Sequence, residues 1–189
     1  MKITVKPLSK ETIEDFLFYF DNIAFTDNHN WAGCYCYFYH SGYSSEQWIQ
    51  RTGESNRQAA VELIEQGKMK GYLAYHDGKP VGWCNANDKL SYERLKQYDE
   101  IWDGEEGRIC SIVCFIIAPE HRRKGVAVQL LRQICKDYSQ LGYKYIEAYP
   151  DEGELTNAQR YHGPMDMYIK EGFFRYKIND KVEIVRKAL

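Results

Sequence analysis

The junction between an apolar run and a basic turn, CFIIAPEHRRKGVAVQLL at residues 114–131, constrains the fold of this chain more than any other segment. The apolar run stops at Pro119, which lacks the N–H group that a strand ladder needs. After Gly125 the apolar residues recur at helical spacing. The junction therefore predicts a buried strand, a short basic turn and a helix that begins near Gly125.

The start of this predicted helix is a candidate site for an anion. The first backbone N–H groups of a helix have no partner within it, and the helix dipole adds partial positive charge there. Gly125 would let a phosphate approach the backbone closely because it has no Cβ. Arg122, Arg123 and Lys124 would add positive charge at the same place. The segment by itself predicts a phosphate-bearing ligand without identifying it.

The other segments predict alternating strands and helices. Asp77-Gly78 lies between two alternating apolar runs, which is typical of a β-hairpin. The run at residues 108–117 carries almost no charge, which indicates a strand that is covered on both faces. The predicted order is β-α-α-β-β-β-α-β-α-β. This order favours a single α/β (α+β) domain over residues 1–189, with a mixed central sheet and helices on both faces.

Three motifs in the second half of the chain resemble those of a known enzyme family. They are the pattern Arg122-x-x-Gly125-x-Ala127 after an apolar strand, the strand sequence YKYIEAYP, and MYIKEGF at residues 167–173. In order and spacing they resemble the acetyl-CoA signature, the following strand and the Leu-Tyr-Glu-Lys-x-Gly-Phe segment of the Gcn5-related N-acetyltransferases (GNAT). The resemblance covers residues 70–189 well, whereas the preceding part matches only in its strand-helix-helix layout.

The resemblance implies a role for each part of the domain. Residues 1–69 would supply a strand, two helices and the acceptor side, and residues 70–189 would form the core that binds the co-substrate acetyl-CoA. Two neighbouring strands would separate to admit the pantetheine arm, and a backbone N–H near Ile116 would stabilise the oxyanion. The residues expected to contact acetyl-CoA are Phe115, Ile116, Ile117, Arg122, Arg123, Lys124, Gly125, Val126, Ala127 and Val128.

The resemblance also implies how protons would move. A primary amine would attack the thioester directly, with Tyr168 at the position of the family's usual general acid. Glu147 lies on the strand where several relatives carry a carboxylate, so it is the candidate general base. His162 and a water molecule are alternatives, and the identity of the base stays open. The asparagine that relatives often carry seven residues before the tyrosine is replaced here by Tyr161.

The aromatic sequence HNWAGCYCYFYH is the candidate acceptor wall. Trp31, Tyr35 and Tyr37 are expected to shape a pocket for a small-molecule amine, although the same rings would suit a packed connection between helices. The spacing of Cys34 and Cys36 relative to the flanking histidines does not fit the common zinc sites, so no metal is expected.

An acidic run lies between the hairpin and the central strand. Near the acceptor it would favour a cationic amine, and elsewhere it would be a solvated loop. Its members are Asp99, Glu100, Asp103, Glu105 and Glu106.

Composition narrows the other function classes. The net charge of −2 argues against nucleic acid as a partner, and no apolar run is long enough for a membrane helix. The N-terminus lacks a signal-peptide pattern and the six cysteines show no CxxC spacing, which favours the cytoplasm. A homodimer would be common for the family. The alternatives are a CoA-binding sensor without catalysis, an acetyltransferase for protein N-termini or lysines, and a nucleotide- or nucleic-acid-binding protein.

Overall fold

The structure is a computed structural model. It describes residues 1–102, 108–150, 155–156, 159–178 and 182–189. Within these ranges, no helix combines the length and the apolarity that a bilayer crossing requires. All six cysteines are free thiols.

Seven strands in the described ranges form the centre of the fold. They are β1 Thr4–Pro7, β2 Tyr72–His76, β3 Lys79–Asp88, β4 Ile109–Ile117, β5 Tyr145–Ala148, β6 Phe174–Ile178 and β7 Glu183–Ala188. They form one sheet of order β1-β2-β3-β4-β5-β7-β6. Only β4 and β5 pair in parallel, and the other neighbours are antiparallel. The predicted mixed sheet is therefore confirmed.

Helices cover both faces of this sheet, as the sequence predicts. They are α1 Ile13–Asn22, α2 Ser45–Ile49, α3 Gly53–Glu65, α4 Val126–Gln140 and α5 Met165–Lys170. Gly82 and Trp83 are neighbours in β3, so they point to opposite faces. Phe16 of α1 packs edge-on against Trp83 with ring centroids 5.1 Å apart. A Cβ at Gly82 would lie 3.0 Å from Val126 of α4. The helices α1 and α4 therefore lie on opposite sides.

Two elements are absent from the predicted order, and each has a physical reason. The five residues of α2 are too few to show a helical period. The strand β6 forms an edge of the sheet and its side chains are mostly exposed, so it lacks a buried periodicity. The central strand β4 is buried along its length except for the partly buried Ile117, as its low charge predicts.

A β-bulge lies in the middle of β4. Asn85 pairs with Cys114 and Ala86 pairs with Ile112, so Val113 is an extra residue in β4. On the other side of β4, the pairing with β5 ends at Ile112 and Ala148. Residues 113–117 of β4 consequently extend beyond the last β5 partner. A gap between the two parallel strands begins there, on the side of β4 away from β3.

The aromatic segment between α1 and α2 adopts a strained backbone. Tyr35 and Cys36 have φ values of 46° and 50°, which lie in the left-handed region that residues other than glycine seldom adopt. The Tyr35 hydroxyl donates to Asp21 at 2.5 Å and its ring stacks on Phe20 at 5.6 Å. The Asn85 side chain donates to the Cys36 carbonyl at 3.2 Å. These contacts hold the segment against the sheet.

Behind this segment, His40 is buried in a neutral hydrogen-bond network. Its Nε2 donates to Asn85 Oδ1 at 3.3 Å, and the Tyr92 hydroxyl donates to the same oxygen at 2.8 Å. Burial lowers the pKa of His40 to about 4, because the loss of hydration disfavours the charged imidazolium. The network therefore requires the uncharged ring.

This buried histidine predicts a loss of stability in mild acid. The unfolded chain binds a proton at His40 below about pH 6.5, whereas the folded chain binds it only near pH 4. The contribution of His40 to the free energy of unfolding is therefore complete above pH 6.5. It falls by about 3 kcal/mol as the pH drops from about 6.5 to about 4. Urea unfolding across pH 4–7.5 measures it, and His40→Gln is expected to flatten the dependence. Identical pH profiles for both proteins would exclude His40 as the source.

Candidate active site

The gap between β4 and β5 carries a backbone donor. The Phe115 N–H points into the gap and donates to the Tyr161 carbonyl at 2.5 Å. Phe115 and Ile116 are in register with Cys84 and Trp83 of β3, and the Ile116 carbonyl accepts from the Tyr19 hydroxyl at 2.8 Å. The N–H directed at the gap belongs to Phe115, the neighbour of Ile116. The loop at Tyr161 presents a carbonyl where an extended ligand would add itself to the strand.

The turn between β4 and α4 has the backbone that an anion site needs. Arg123 and Gly125 have φ values of 58° and 82°, both left-handed, and Gly125 is the N-cap of α4. Within the described part of the chain, no side-chain hydrogen bond caps this end of α4. A Cβ at Gly125 would meet no atom within 4 Å, so the space in front of the helix is open. Arg123, Lys124 and Gly125 are exposed to that space, whereas Val126 is buried against the sheet.

Arg122 has a different set of partners from the other basic residues of the turn. Its Nη1 and Nη2 donate to the two carboxylate oxygens of Asp27, and its Nε donates to the Ile117 carbonyl at 3.0 Å. The guanidinium therefore joins the end of β4 to the segment after α1. Arg123 and Lys124 are exposed at the same turn.

Glu147 is fully buried, and both of its oxygens are engaged. Oε1 accepts from Lys89 Nζ at 2.8 Å and from the Tyr149 hydroxyl at 2.7 Å. Oε2 accepts from Arg186 Nε at 2.7 Å and Nη2 at 2.5 Å. These four bonds use the acceptor sites of a carboxylate. Glu147 pairs with Ser111 next to the last β4–β5 pair, so the network fixes the point at which the strands separate.

Tyr168 lies on α5 and is also fully buried. Its hydroxyl donates to the His162 carbonyl at 2.6 Å, and its ring packs edge-on against Phe173 with centroids 5.1 Å apart. A Cβ at Gly163 would lie 3.3 Å from the hydroxyl oxygen, so the loop passes close to it. The phenol is thus placed beside the loop that contacts the gap.

A cavity of about 570 Å³ opens on the α1 side of this gap. The floor is formed by β4, and the walls come from the aromatic segment, from α2 and from the start of α3. Its lining residues are Ala24, Phe25, Asp27, Asn28, Asn30, Trp31, Gly33, Cys34, Cys36, Phe38, Tyr39, Trp48, Ile49, Arg51, Gly53, Asn56, Cys114, Phe115, Ile116, Ile117, Arg122 and Tyr161.

Of the three predicted acceptor residues, Trp31 is in this wall. Its ring packs edge-on against Tyr161 with centroids 5.4 Å apart. Tyr35 packs into the core, and Tyr37 packs against Trp48 at 6.3 Å, so neither ring is among the lining residues. Tyr35, whose backbone is left-handed, stacks its ring on Phe20 instead.

Three cysteines, Cys34, Cys36 and Cys114, line the same cavity. Burial raises the pKa of Cys34 to about 12 and that of Cys36 well above its ordinary value. The thiolate is the nucleophilic form of cysteine, and it is scarce at neutral pH under these conditions. Among the described residues there is no group of three or more His, Cys, Asp or Glu side chains that could hold a metal ion.

Arg51 and Asn56 also line the cavity, at the connection between α2 and α3 and on α3. Asn56 is buried and its Nδ2 donates to the Gly33 carbonyl at 2.8 Å. Gly33 and Gly53 approach so closely that a Cβ on Gly33 would lie 2.9 Å from Gly53 Cα. This contact brings the aromatic segment onto α3. The sequence shows no motif at these positions, because their significance comes only from the long-range contact.

A second, more acidic cavity lies on the β5 side of the loop. It has a volume of about 1040 Å³, and its lining includes Asp99, Glu100, Tyr149 and His162. The Tyr39 hydroxyl and His162 Nε2 are 2.7 Å apart and form a hydrogen bond between the two cavities. Part of the predicted acidic run is therefore near the gap. Its other members, Asp103, Glu105 and Glu106, lie outside the described residues.

Comparison with protein families gives one match. The model of the acetyltransferase (GNAT) family matches residues 25–163. This range contains the whole of β4, the turn, α4 and the loop that closes the gap. No relative is found among curated protein sequences.

Solved structures of low sequence identity share the fold. PaiA N-acetyltransferase from Thermoplasma acidophilum, solved with coenzyme A, is 17% identical with a TM-score of 0.57, and the match covers 100% of both chains. A mosquito arylalkylamine N-acetyltransferase like 5b is 12% identical with a TM-score of 0.61, again over 100% of both chains. A chain of the NatC complex bound to Gag peptide and CoA is 14% identical with a TM-score of 0.55, over 100% of this chain and 99% of that one.

Proposed function

Because the chain belongs to the acetyltransferase (GNAT) family, we propose that it transfers an acetyl group from acetyl-CoA to a primary amine of a small molecule. The observation that carries this proposal is the continuity of three features. The exposed turn at Arg123–Gly125 follows the end of β4, the gap lies between β4 and β5, and a cavity on the α1 side is lined by the same end of β4. Donor and acceptor could thus meet at Phe115 from opposite sides.

The proposed donor site uses the turn for the pyrophosphate and the gap for the pantetheine arm. The N–H groups at the start of α4, with Arg123 and Lys124, suit a polyphosphate. Phe115 N–H suits an oxygen in the gap, since it already donates to a carbonyl there. We propose that acetyl-CoA displaces the Tyr161 carbonyl from this N–H. An oxygen of acetyl-CoA, either in the pantetheine arm or in the thioester, would then accept the hydrogen bond from Phe115 N–H.

The proposed reaction is direct transfer to the amine. The amine nitrogen forms a bond with the acetyl carbon, the C–S bond breaks, and the CoA thiolate takes a proton from Tyr168. The raised pKa values of Cys34 and Cys36 argue against an acetyl intermediate on either of these two cysteines. The amine must also lose a proton. Since Glu147 has both oxygens bonded to neighbouring groups, we assign this step to His162 or a water.

A small amine fits the acceptor side better than a protein chain. The cavity volume of about 570 Å³ is within the range of sites for small ligands, and aromatic rings form much of its wall. The arylalkylamine N-acetyltransferase among the fold relatives has a small amine in its name, whereas the NatC structure contains a peptide.

The six free thiols support the prediction of a reducing, cytoplasmic location.

A thiol-release assay with acetyl-CoA and a panel of amines tests the proposal. We expect release that depends on the amine and produces a stoichiometric amount of acetylated amine by mass spectrometry. Peptides with free N-termini serve as the comparison class. Saturable CoA binding without turnover on any amine or peptide would favour a sensor, and turnover on peptides alone would favour a protein acetyltransferase.

Gly125→Ala is expected to weaken CoA binding about tenfold, since its Cβ would stand between the phosphate and the N–H groups of the turn. Gly142→Ala is the matched control. Gly142 also has a left-handed φ, 76°, but lies after the other end of α4. Both variants should lose similar stability from backbone strain, by about 1–2 kcal/mol. Isothermal titration with CoA measures affinity, and equal affinities for the two variants would contradict a phosphate site at Gly125.

A further inference from the structure

The α1-side cavity is lined by few charged residues, and the positive ones outnumber the negative ones. Its lining contains two arginines, Arg51 and Arg122, and one carboxylate, Asp27. Asp27 and Arg122 form a two-pronged ion pair, and this pairing holds the pKa of Asp27 below its ordinary value. The charge that remains without a counter-ion in the wall is the positive charge of Arg51. An acceptor carrying several cations would therefore meet repulsion, rather than a carboxylate, at Arg51.

The guanidinium of Arg51 is held in a fixed orientation. Its plane lies over the rings of Tyr37 and Tyr43, with the guanidinium carbon 5.0 Å and 4.8 Å from the ring centroids. Nε donates to Asn56 Oδ1 at 2.5 Å, and Nη2 donates to the Ser55 carbonyl at 2.9 Å. An arginine that is already ordered loses little further entropy when it binds a ligand.

The remaining donors of Arg51 form the edge that suits a carboxylate. Among the described residues, none accepts a hydrogen bond from its Nη1. The two Nη atoms together present parallel N–H bonds, which match the two oxygens of a carboxylate. Arg51 is one of the residues that line the cavity.

The rest of the cavity defines the body of the ligand. Trp31, Phe38 and Trp48 supply large apolar faces, and Phe38 packs edge-on against Trp48 with ring centroids 5.0 Å apart. Phe115 and Tyr161 line the same cavity at the gap, where the thioester is proposed to arrive. Arg51 belongs to the α2–α3 connection, which forms a different wall.

We infer that the acceptor is a primary amine that carries a carboxylate on an aromatic or large apolar body, and that Arg51 binds this carboxylate. The inference rests on the proposed acetyl transfer and names the substrate class of that site. The amine would lie at Phe115, the apolar body would pack against the tryptophans, and the carboxylate would pair with the Nη edge of Arg51. No charge is buried alone in this arrangement.

Matched pairs of amines test the inference with the wild-type protein. In 4-(aminomethyl)benzoate and 4-methylbenzylamine, or in phenylalanine and phenethylamine, the members differ by the carboxylate. We expect kcat/KM from thiol release to be at least about tenfold higher for the carboxylated member, as for a charge-assisted hydrogen-bonded pair. Spermidine represents the cationic class. Equal rates within both pairs, or a preference for spermidine, would overturn the inference while leaving acetyl transfer itself intact.

Variants of Arg51 separate recognition from packing. Arg51→Gln should lower kcat/KM about tenfold or more for the carboxylated amine and change it less than about threefold for its partner. Arg51→Lys keeps the positive charge but lacks the two parallel N–H donors, so its kcat/KM for the carboxylated amine should lie between those of the wild type and Arg51→Gln. Arg57→Gln is the control, because Arg57 lies on α3 but pairs with Asp21 outside the cavity. An equal loss on both amines would contradict carboxylate binding by Arg51.

A binding measurement on the wild-type protein tests the inference even if no amine is acetylated or the Arg51 variants are unstable. Thermal stabilisation of the wild-type protein by 4-(aminomethyl)benzoate, with CoA present, should exceed that by 4-methylbenzylamine at the same concentration. If CoA binds but no amine is acetylated, the proposed function fails, and this comparison still decides whether the cavity selects a carboxylate. Equal stabilisation by the two compounds would count against the inference.

Discussion

Glu147→Gln is expected to lower the free energy of unfolding by about 3–5 kcal/mol, the cost of removing one partner from a buried ion-pair network. The substitution removes the negative charge between Lys89 and Arg186, whose side chains are only 5% and 3% exposed. Their charges would then lack a buried counter-ion at Glu147. Urea unfolding at pH 7.5 measures the loss, provided that folded protein is obtained.

A second consequence of Glu147→Gln concerns the gap itself. Glu147 pairs with Ser111 beside the point where β4 and β5 separate, and Tyr149 also donates to it. Loosening this point should weaken CoA binding along with stability. Glu93→Gln is the control, because Glu93 forms an exposed pair with Lys96, and such pairs contribute little. Wild-type stability combined with a large loss of kcat in Glu147→Gln would instead support a general base.

Tyr168→Phe is expected to lower kcat about 100-fold, the lower range for loss of a positioned proton donor, while CoA affinity stays unchanged. The phenol is buried beside the gap-closing loop, and its hydroxyl donates to the His162 carbonyl before the donor binds. We expect that hydrogen bond to be exchanged for one to the leaving sulfur. Tyr168→Phe retains the aromatic ring, so the solvent-exposed surface of the protein would not change.

Tyr138→Phe controls for the packing role of such a tyrosine. Tyr138 is buried in α4 and also donates to a backbone carbonyl, that of Ala86, at 3.1 Å. Each variant should lose about 1 kcal/mol of stability from one hydrogen bond. Single-turnover thiol release, with isothermal titration of CoA, separates the effects. If both variants turn over at the wild-type rate, Tyr168 is a core residue and another group protonates the thiolate.

The donor side of the molecule was predictable because its parts are contiguous in the chain. The strand, the turn and α4 occupy residues 109–140, and each shows a local signal: uncharged residues, a proline with basic residues, and a glycine before helical spacing. The left-handed φ of Gly125 explains why glycine is needed at that position. A similar local signal, Asp77-Gly78, predicted the hairpin, and both residues have positive φ values.

Side-chain partners were predicted less well than backbone elements. In the sequence Arg122 belongs to a basic cluster, but in the structure its guanidinium binds Asp27, which lies 95 residues earlier. Glu147 reads as a charge in an alternating strand, yet it is matched by Arg186, 39 residues later, and by Lys89. An ion pair between distant segments leaves no periodic trace in a single sequence. Such pairs decide which charged residues can take part in chemistry.

The sequence by itself determined the GNAT resemblance, the mixed sheet and the junction of strand, basic turn and helix, because backbone elements and their junctions depend on neighbouring residues. Only the tertiary structure decided the shape and lining of the cavity on the α1 side. The cavity brings together the end of β4, a strained aromatic segment and Arg51, and the close contact of Gly33 with Gly53 holds two of these parts together. These contacts arise from packing between segments far apart in the chain, so the pocket and its charge were not encoded in any one of them.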